Sequence, residues 1–375
     1  MNVVVLGAGY AGLSLARRLE RDLPDAVSPT VVDASPDHLV QHELHRLVRH
    51  PDLEDAITVP LTETLSRAGV VTARVESVDR EARTVHLDEG RLDYDVCAVC
   101  LGAETAFYGL PGVAEHATPL KRVRHAAAIR AAFRSLGADD RAVVGGAGLS
   151  GVQVAGELAA LAASEGVEPE VQLVEREQQV APAFPEPFAA AVRTALDEAG
   201  VVVETGVRVR EATADEVRFD GRDPLAYDQL VWTGGIRGPD AMGGDRPVVR
   251  ADLRLDDRTF AVGDAARVVD ADGEAVPASA AAAVREASVA ATNVVRTVES
   301  LRGGDEFRPR LDRYRFDVPG WIVSVGDDAV AQVAGGVVTG AAARAMKATV
   351  GAGHLTSVGA VRQASDLVRE ELGHG

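Results

Sequence analysis

The stretch of sequence that decides the fold is VVVLGAGYAG, residues 3–12, in which an apolar run leads directly into three spaced glycines. The apolar run predicts a buried parallel strand. Gly7 predicts a tight turn, Gly9 lets the backbone approach a pyrophosphate, and Gly12 lets the next helix pack closely. A pyrophosphate bound here, beside Ala11, would face the positive end of that helix. The stretch therefore predicts a dinucleotide-binding unit.

A second copy of the pattern is AVVGGAGLSG, residues 142–151, with its glycines at Gly146, Gly148 and Gly151. One such glycine pattern is a weak signal by itself. Two copies in one chain, each after a strand-like run, predict two bound dinucleotides. The natural pair is a bound flavin and a diffusible nicotinamide.

An acidic residue ends the next predicted strand after each glycine pattern. Asp33 ends TVVD at residues 30–33, and Glu175 ends VQLVE at residues 171–175. A carboxylate at this place accepts hydrogen bonds from ribose hydroxyls, although an ordinary polar strand end is the alternative. Glu175 would repel a 2′-phosphate and so favours NADH over NADPH, whereas the adjacent Arg176 weakens that preference.

The composition is acidic and nearly free of lysine. A chain of 375 residues predicts two or three domains. Hydrophobic residues make up 46% of the chain, which suffices for a sizeable core. The net charge of −18 argues against nucleic acid and anionic lipid as partners. Lys121 and Lys347 are the only lysines. The many carboxylates, and the use of arginine in place of lysine, favour an interpretation as halophilic adaptation combined with a compositional bias of the genome.

The sequence also bears on where the protein is found. No apolar run reaches the ~18–20 residues that a membrane-spanning helix needs. We expect no signal peptide, because the first predicted strand starts at residue 2. We expect a cytoplasmic protein, either free or peripheral on the inner face of the cell membrane.

Both cysteines, Cys97 and Cys100, lie in YDVCAVCL, residues 94–101. Their C-x-x-C spacing is that of some redox disulfides. The run is also typical of a buried parallel strand, in which positions three apart point to opposite faces. The pattern favours two small core residues over a redox pair.

The repetition of strand, glycine turn and helix is a duplication at domain scale. It predicts an α/β fold with two Rossmann-like dinucleotide-binding domains, one for FAD and one for NAD, and a small C-terminal α+β region. We place the FAD-binding domain at residues 1–115 and 238–308, and the NADH-binding domain at residues 116–237. The C-terminal region at residues 309–375 is expected to provide a dimer or membrane-surface contact.

A third strand-to-turn signal is TFAVGD, residues 259–264, where the chain is expected to return to the first domain. An alanine-rich helix is predicted over residues 278–297. Asp264 would lie at a helix N-terminus and accept hydrogen bonds from the ribityl hydroxyls of a flavin. A plain turn aspartate is the alternative.

The C-terminal region predicts a hairpin of strands at residues 321–326 and 329–333, followed by an amphipathic helix over residues 357–372. The helix could dock on a membrane, form a homodimer contact or cap the core. Both signs of charge on its polar face weaken the membrane interpretation.

Several segments together resemble the type II NADH dehydrogenases, which are single-subunit NADH:quinone oxidoreductases with FAD. More broadly, the chain resembles flavoproteins with two dinucleotide-binding domains. The resemblance covers nearly the whole length. It rests on LGAETAFYGLPGVAEHA at 101–117, GVQVAGEL at 151–158, WTGGIR at 232–237, FAVGD at 260–264, and His38 with Leu44-His45.

The resemblance implies that hydride passes from NADH to FAD and that two electrons then pass to a quinone. No metal is expected. Gln153 is the candidate for orienting the nicotinamide, with a purely structural helix role as the alternative. The residues expected to hold FAD are Gly7, Gly9, Ala11, Gly12, Asp33, Gly102 and Asp264, with backbone bonds from Val75 to adenine. Those expected to hold NADH are Gly146, Gly148, Gly151, Glu175 and Gly234.

The chain departs from the family in ways that concern the acceptor. Gln153 stands where the family has glutamate, so it can bind a carboxamide but cannot exchange a proton. Ala281, Arg285 and Glu286 stand where the family has a glutamine and then a Gln-Gln pair. Two alternatives therefore stay open: an NAD(P)H reductase for a ferredoxin-type protein acceptor, and a non-enzymatic redox sensor that binds flavin and NADH. A sulfide:quinone reductase is disfavoured because its active-site cysteines have no counterpart.

Overall fold

The computed structural model describes residues 1–167, 169–304 and 308–373 and contains two parallel five-stranded sheets of matching layout. In each sheet, the strand that leads into a glycine pattern is central. The first sheet has the strand order Thr259–Ala261, Val96–Val99, Val3–Leu6, Pro29–Asp33 and Gly69–Thr72. The second has the order Thr118–Pro119, Gln229–Trp232, Arg141–Gly145, Glu170–Val174 and Val202–Glu204. The predicted α/β class with two Rossmann-like units is confirmed.

Helices cover the sheets and connect their strands. The α-helices are α1 (Tyr10–Asp22), α2 (Glu54–Ile57), α3 (Leu61–Thr64), α4 (Val113–His116), α5 (Val123–Phe133), α6 (Leu149–Glu165), α7 (Glu186–Glu198), α8 (Ala280–Gly303), α9 (Gly340–Ser357) and α10 (Val361–Gly373). Short 3-10 helices span Gln41–Val48, Pro51–Leu53, Asp240–Met242 and Gly263–Ala265.

The first sheet shows why an unbroken apolar run folds as a central strand. All four residues of Val3–Leu6 are buried, because strands pair with it in parallel on both edges and helices cover its faces. The alanines of α8 allow that helix to pack closely on α1. Ser279 caps the start of α8 by accepting a hydrogen bond from the Ala282 N–H at 3.2 Å.

The chain enters the second sheet and then returns to the first. Thr259–Ala261 pairs in parallel with Val96–Val99, as expected for the third strand-to-turn signal. The domain boundaries at residues 115, 237 and 308 remain predictions.

The structure also contains smaller sheets of two or three strands. Residues 69–79 form two strands that belong to different sheets. Gly69–Thr72 pairs in the first parallel sheet, whereas Val75–Asp79 begins an antiparallel sheet. The small sheets are Asp37–Leu39 with Thr58–Pro60; Val75–Asp79 with Thr84–Leu87 and Arg91–Asp93; Glu104–Thr105 with Ile236–Arg237; Val209–Ala212 with Glu216–Phe219 and Arg222–Ala226; and Val248–Val249 with Arg267–Val268.

The C-terminal region packs on the rest of the chain. The predicted hairpin is present as Gly320–Val325 and Asp328–Val333, and Gly336–Thr339 adds a third strand. The hairpin contacts α6, and Gly156 there allows a close approach, because a Cβ would lie 2.5 Å from the Gly326 nitrogen. The three-stranded sheet of this region therefore packs on the helices of the second unit.

The helix expected over residues 357–372 is present as α10, which begins at Val361, four residues later than predicted. The preceding helix α9, which ends at Ser357, was not predicted. Leu367 is buried between these helices, whereas Val361 is exposed. No helix among the described residues is long and apolar enough to cross a membrane.

Candidate functional site

The first glycine loop has the geometry that its sequence predicts. Gly7 has a φ of +93°, which glycine adopts without strain, and a Cβ there would overlap the Cys100 carbonyl oxygen. A Cβ at Gly12 would overlap the Gly7 carbonyl oxygen. A Cβ at Gly9 would meet no atom within 4 Å. Gly7 and Gly12 thus allow close packing, while the space in front of Gly9 is open.

The second loop repeats this arrangement. Gly146 has a φ of +95°, and a Cβ there would lie 2.6 Å from the Gly234 Cα. A Cβ at Gly151 would overlap the Gly146 carbonyl oxygen, whereas one at Gly148 would meet nothing within 4 Å. Gly234 therefore lies directly behind the loop. Glycine is required at this position because a Cβ there would lie 2.6 Å from the Trp232 ring.

The two acidic residues make matching contacts with the loops. Asp33 Oδ2 accepts a hydrogen bond from the Ala8 N–H at 2.6 Å, and Glu175 Oε2 accepts one from the Ala147 N–H at 2.6 Å. The second oxygen of Glu175 accepts from the Glu177 N–H at 2.9 Å. Burial raises the pKa of Asp33, although its backbone hydrogen bonds oppose this. Each carboxylate is thus fixed beside its glycine loop, where a ribose would lie.

The residues present fit a dinucleotide at each loop. The open space at Gly9 and Gly148 is what the approach of a pyrophosphate requires. Gly102 follows the strand beside the first loop, has a φ of +69°, and leaves open space where a Cβ would lie, with no atom within 4 Å. The loops open at the N-termini of α1 and α6, whose free N–H groups suit phosphate oxygens.

Asp264 lies in a different local structure from the one predicted. It belongs to the 3-10 helix Gly263–Ala265 and not to the N-terminus of α8, which starts at Ala280. The two are joined in space, because the Gly263 N–H donates to Glu286 Oε2 at 2.6 Å. Asp264 thus lies in the first turn of a short 3-10 helix of its own, and its contact with ribityl hydroxyls remains a prediction.

Val75 lies at the start of the antiparallel sheet, opposite Leu87, and just after the first sheet's edge strand. Its role towards adenine remains a prediction. Thr233 supports the second loop by donating from Oγ1 to the Gly146 carbonyl at 2.8 Å. Tyr108, which is 65% exposed, donates to the Gly234 carbonyl at 3.3 Å.

Gln153 on α6 points to a junction between the three parts of the chain. Its Nε2 lies 3.4 Å from His45 Nε2 and 3.5 Å from Ser324 Oγ. His45 Nε2 and Ser324 Oγ are themselves 2.8 Å apart. Burial keeps the pKa of His45 well below its ordinary value, so the ring is neutral and its Nε2 can accept from the amide. These contacts fix the Gln153 side chain.

The cysteines are free and buried. Burial raises the pKa of both thiols, so neither is a reactive thiolate. The Cys100 side chain lies 3.2 Å from the Cβ position of Gly12, the place that Thr233 occupies at the second loop. Both residues therefore serve the packing of the first sheet and loop.

The residues that depart from the family's acceptor motif differ in their burial and in their contacts. Glu286 is buried, and burial raises its pKa to about 7. Arg285 is exposed and donates to the Ala281 carbonyl on its own helix at 3.2 Å. Only Glu286 of the three thus contacts the turn that carries Asp264.

Sequence reasoning missed a buried polar cluster between the first loop and α9. His38 Nδ1 donates to the Ala8 carbonyl at 2.8 Å, so its Nε2 accepts from His354 Nε2 at 3.0 Å. Burial lowers the pKa of His38 to about 4 and that of His354 to about 3, so both rings are neutral. The cluster also contains Tyr10, His42, Glu43 and Lys347. The rarity of lysine was the one sequence signal that pointed to Lys347.

Comparisons with known proteins agree with this geometry. Residues 1–287 match the family model described as pyridine nucleotide-disulphide oxidoreductase. A type II NADH:quinone oxidoreductase of Staphylococcus epidermidis is 28% identical over 331 residues, covering 78% of this chain and 82% of the relative. The Staphylococcus aureus protein of that name is 27% identical and covers 96% of both chains.

Solved structures share the fold. NDH2 of Plasmodium falciparum in complex with NADH matches with a TM-score of 0.79 and 12% identity, covering 98% of this chain and 97% of that one. The sulfide:quinone oxidoreductase of Aquifex aeolicus matches with a TM-score of 0.79 and 19% identity, covering 98% and 92%. The predicted resemblance to type II NADH dehydrogenases and the assignment as an oxidoreductase are confirmed.

Proposed function

Because the chain belongs to the pyridine nucleotide-disulphide oxidoreductase family, we propose that it is an FAD-dependent NADH dehydrogenase that passes electrons to a quinone. The first loop would hold FAD, and the second would hold NADH. Quinone is preferred to a protein acceptor because the relatives that cover most of the chain are named NADH:quinone oxidoreductases. Contacts with a membrane surface or with a second copy remain predictions for the C-terminal region.

One observation carries this proposal: the same loop–acid geometry occurs twice. Ala8 and Asp33 in the first unit match Ala147 and Glu175 in the second, with the same hydrogen-bond length of 2.6 Å. A single unit would support binding of one nucleotide. Two units on sheets of matching strand order support an exchange of electrons between two nucleotides.

The chain's own residues would bind and align the two nucleotides. FAD, when bound, supplies the ring that takes up hydride and releases electrons. Asp33 would bind the ribose of FAD, and Asp264 its ribityl chain. Glu175 would bind the ribose of NADH and repel a 2′-phosphate. Gln153, held by His45 and Ser324, would orient the nicotinamide carboxamide, which fits a positioning role without proton transfer.

Steady-state oxidation of NADH with three acceptors tests the proposal. We expect rapid turnover with a water-soluble quinone and with ferricyanide. Turnover confined to a ferredoxin-type protein would support the protein-acceptor reductase instead. Slow flavin reduction without turnover on any acceptor would support the redox sensor.

A further inference from the structure

The two glycine loops hold the carbonyl of the same alanine in different ways. At the second loop, the Ala147 carbonyl accepts a hydrogen bond from the Ala181 backbone N–H at 2.7 Å. At the first loop, the Ala8 carbonyl accepts from His38 Nδ1 at 2.8 Å. A backbone group therefore holds this carbonyl in one unit, and an imidazole holds it in the other.

The imidazole of His38 has a second partner in the C-terminal region. The side chain is fully buried and donates from Nδ1, so the neutral ring accepts at Nε2. The donor to Nε2 is His354 Nε2 of α9, at 3.0 Å. Burial lowers the pKa of both imidazoles, which keeps both rings neutral at neutral pH. A continuous series of hydrogen bonds therefore joins α9 to the first glycine loop.

One face of α9 makes the contacts that bring His354 to this position. Lys347, Gly351 and His354 are spaced four and three residues apart, so they lie on one side of the helix. Lys347 Nζ donates to Glu43 Oε2 at 3.0 Å, and a Cβ at Gly351 would lie 3.5 Å from Glu43 Oε1. The His354 and Tyr10 rings have centroids 4.5 Å apart. Contacts along this face therefore fix α9 against the first loop.

The direction of the Ala8 carbonyl matters for an anion bound at this loop. In a trans peptide unit, the C=O and the following N–H point in opposite directions. The hydrogen bond to His38 turns the Ala8 oxygen towards the imidazole, and so turns the Gly9 N–H away from it. Rotation of this peptide unit would free the carbonyl oxygen, whose partial negative charge would oppose a pyrophosphate at the N-terminus of α1.

We propose that His38 and His354 position the first glycine loop for FAD, so that α9 of the C-terminal region forms part of the flavin site. The inference rests on the proposed function, which assigns FAD to this loop. Both imidazoles are positioning residues that act through the peptide unit of Ala8 and Gly9. The second loop has a backbone donor at the matching place, so its nucleotide should bind independently of His354.

Variants of His354 separate its hydrogen bond from its packing. His354→Leu leaves His38 Nε2 as a buried acceptor without its donor, so FAD should bind flavin-free protein about 10-fold more weakly. His354→Gln should bind FAD within about 2-fold of wild type, because its amide nitrogen can take the place of Nε2 and donate. His86→Leu, at an exposed site on the strand Thr84–Leu87, is the control and should bind FAD as wild type does. Titration of flavin-free protein with FAD measures all three.

Binding of the second nucleotide separates a positioning role from a general loss of structure. NAD⁺ should bind the flavin-free forms of His354→Leu and wild type with equal affinity, because the Ala147 carbonyl has its own donor. Equal weakening of FAD and NAD⁺ binding in His354→Leu would overturn the positioning role.

The wild-type protein provides a test that needs no variant to fold. At neutral pH, the ¹⁵N resonances of His38 in flavin-free protein should show a proton on Nδ1 and none on Nε2, which is the tautomer that its two contacts require. A proton on Nε2 alone would overturn the inference. So would FAD binding by His354→Leu as tight as that of wild type, or by His354→Gln as weak as that of His354→Leu. Wild-type protein that binds FAD but is not reduced by NADH would contradict the proposed function alone.

Discussion

The two nucleotide-binding units of this chain share their framework and differ in what covers their loops. In both units a glycine turn, a helix N-terminus and a loop-bound carboxylate occupy matching positions. At the first loop, the Tyr10 ring packs against the His38 ring and against the His354 ring of α9. At the second loop the matching residue is Leu149, and the exposed Tyr108 lies nearby on Gly234.

This difference teaches how one duplicated unit acquires two roles. The loop and acid provide for nucleotide binding in general. We expect the first site to retain its nucleotide, as a bound flavin, and the second site to exchange it, as a diffusible nicotinamide. Substitutions in the two units test this division, beginning with the largest effect.

Substitution of the third glycine should have different effects in the two loops. In Gly12→Ala and Gly151→Ala, the new Cβ overlaps a backbone carbonyl that cannot move away easily. Overpacking of this kind costs about 1–3 kcal/mol. Gly12→Ala should purify without flavin, whereas Gly151→Ala should keep flavin but be reduced slowly by NADH. Flavin content and anaerobic reduction rates measure this.

Gly137→Ala provides the matched control for these variants. Its Cβ would lie 3.7 Å from the nearest atom, Asp140 Oδ2, which is an ordinary contact. This variant should behave as wild type in both measurements. Equal loss of flavin from Gly12→Ala and Gly151→Ala would contradict the assignment of different nucleotides to the two loops.

The acid of the second loop should determine nucleotide preference. Glu175→Gln should weaken NADH binding and reduce the preference for NADH over NADPH by about 10-fold, since charged hydrogen bonds contribute about 1.5–3 kcal/mol. The ratio of kcat/KM values for NADH and NADPH measures it. Glu198→Gln, at an exposed site on α7 of the same unit, is the control. A preference that stays constant in Glu175→Gln would remove the ribose role of this residue.

The first unit should show a pH dependence of stability from Glu286. Burial raises its pKa to about 7 from an ordinary value of 4.5. Between these values the folded chain holds a proton that the unfolded chain releases, so stability falls as pH rises towards 7. The full loss above pH 7 is roughly 3 kcal/mol. Denaturant unfolding at pH 5 and pH 8 measures it.

Glu286→Gln should lose this part of the pH dependence, since an amide oxygen can still accept from the Gly263 N–H. Glu299→Gln, an exposed site on the same helix, is the control and should keep the wild-type dependence. The account of Glu286 fails when the two variants have the same slope of unfolding free energy against pH.

The smallest expected effect concerns Tyr108. Tyr108→Phe removes a partly exposed hydrogen bond to the Gly234 carbonyl, so the KM for NADH should rise by about 2-fold. Flavin content should not change, because the contact belongs to the second loop alone. A loss of flavin from this variant would show that the two sites are not separate in the way proposed.

Local patterns predicted much of the fold and part of the site. The glycine loops, their strands and helices, and the position of Asp33 and Glu175 at the end of the next strand follow from short stretches of sequence. These features need only a few neighbouring residues to form. The free, buried state of Cys97 and Cys100 likewise followed from the apolar run around them.

The features that were missed depend on contacts between distant residues. Glu43 and Lys347 are 304 residues apart, and His38 and His354 are 316 residues apart. The helix α9 itself is rich in alanine and glycine, so its sequence lacks a clear apolar period. The placement of Asp264 against α8 depends in the same way on a long-range hydrogen bond.

The measurement that tests the central claim most directly is the visible spectrum of the purified protein before and after anaerobic addition of NADH. Two duplicated units that hold a flavin and a nicotinamide predict a yellow protein with one flavin for each chain, which one equivalent of NADH bleaches. A protein that stays colourless and takes up no added FAD would contradict this account, as would a flavin spectrum that NADH leaves unchanged.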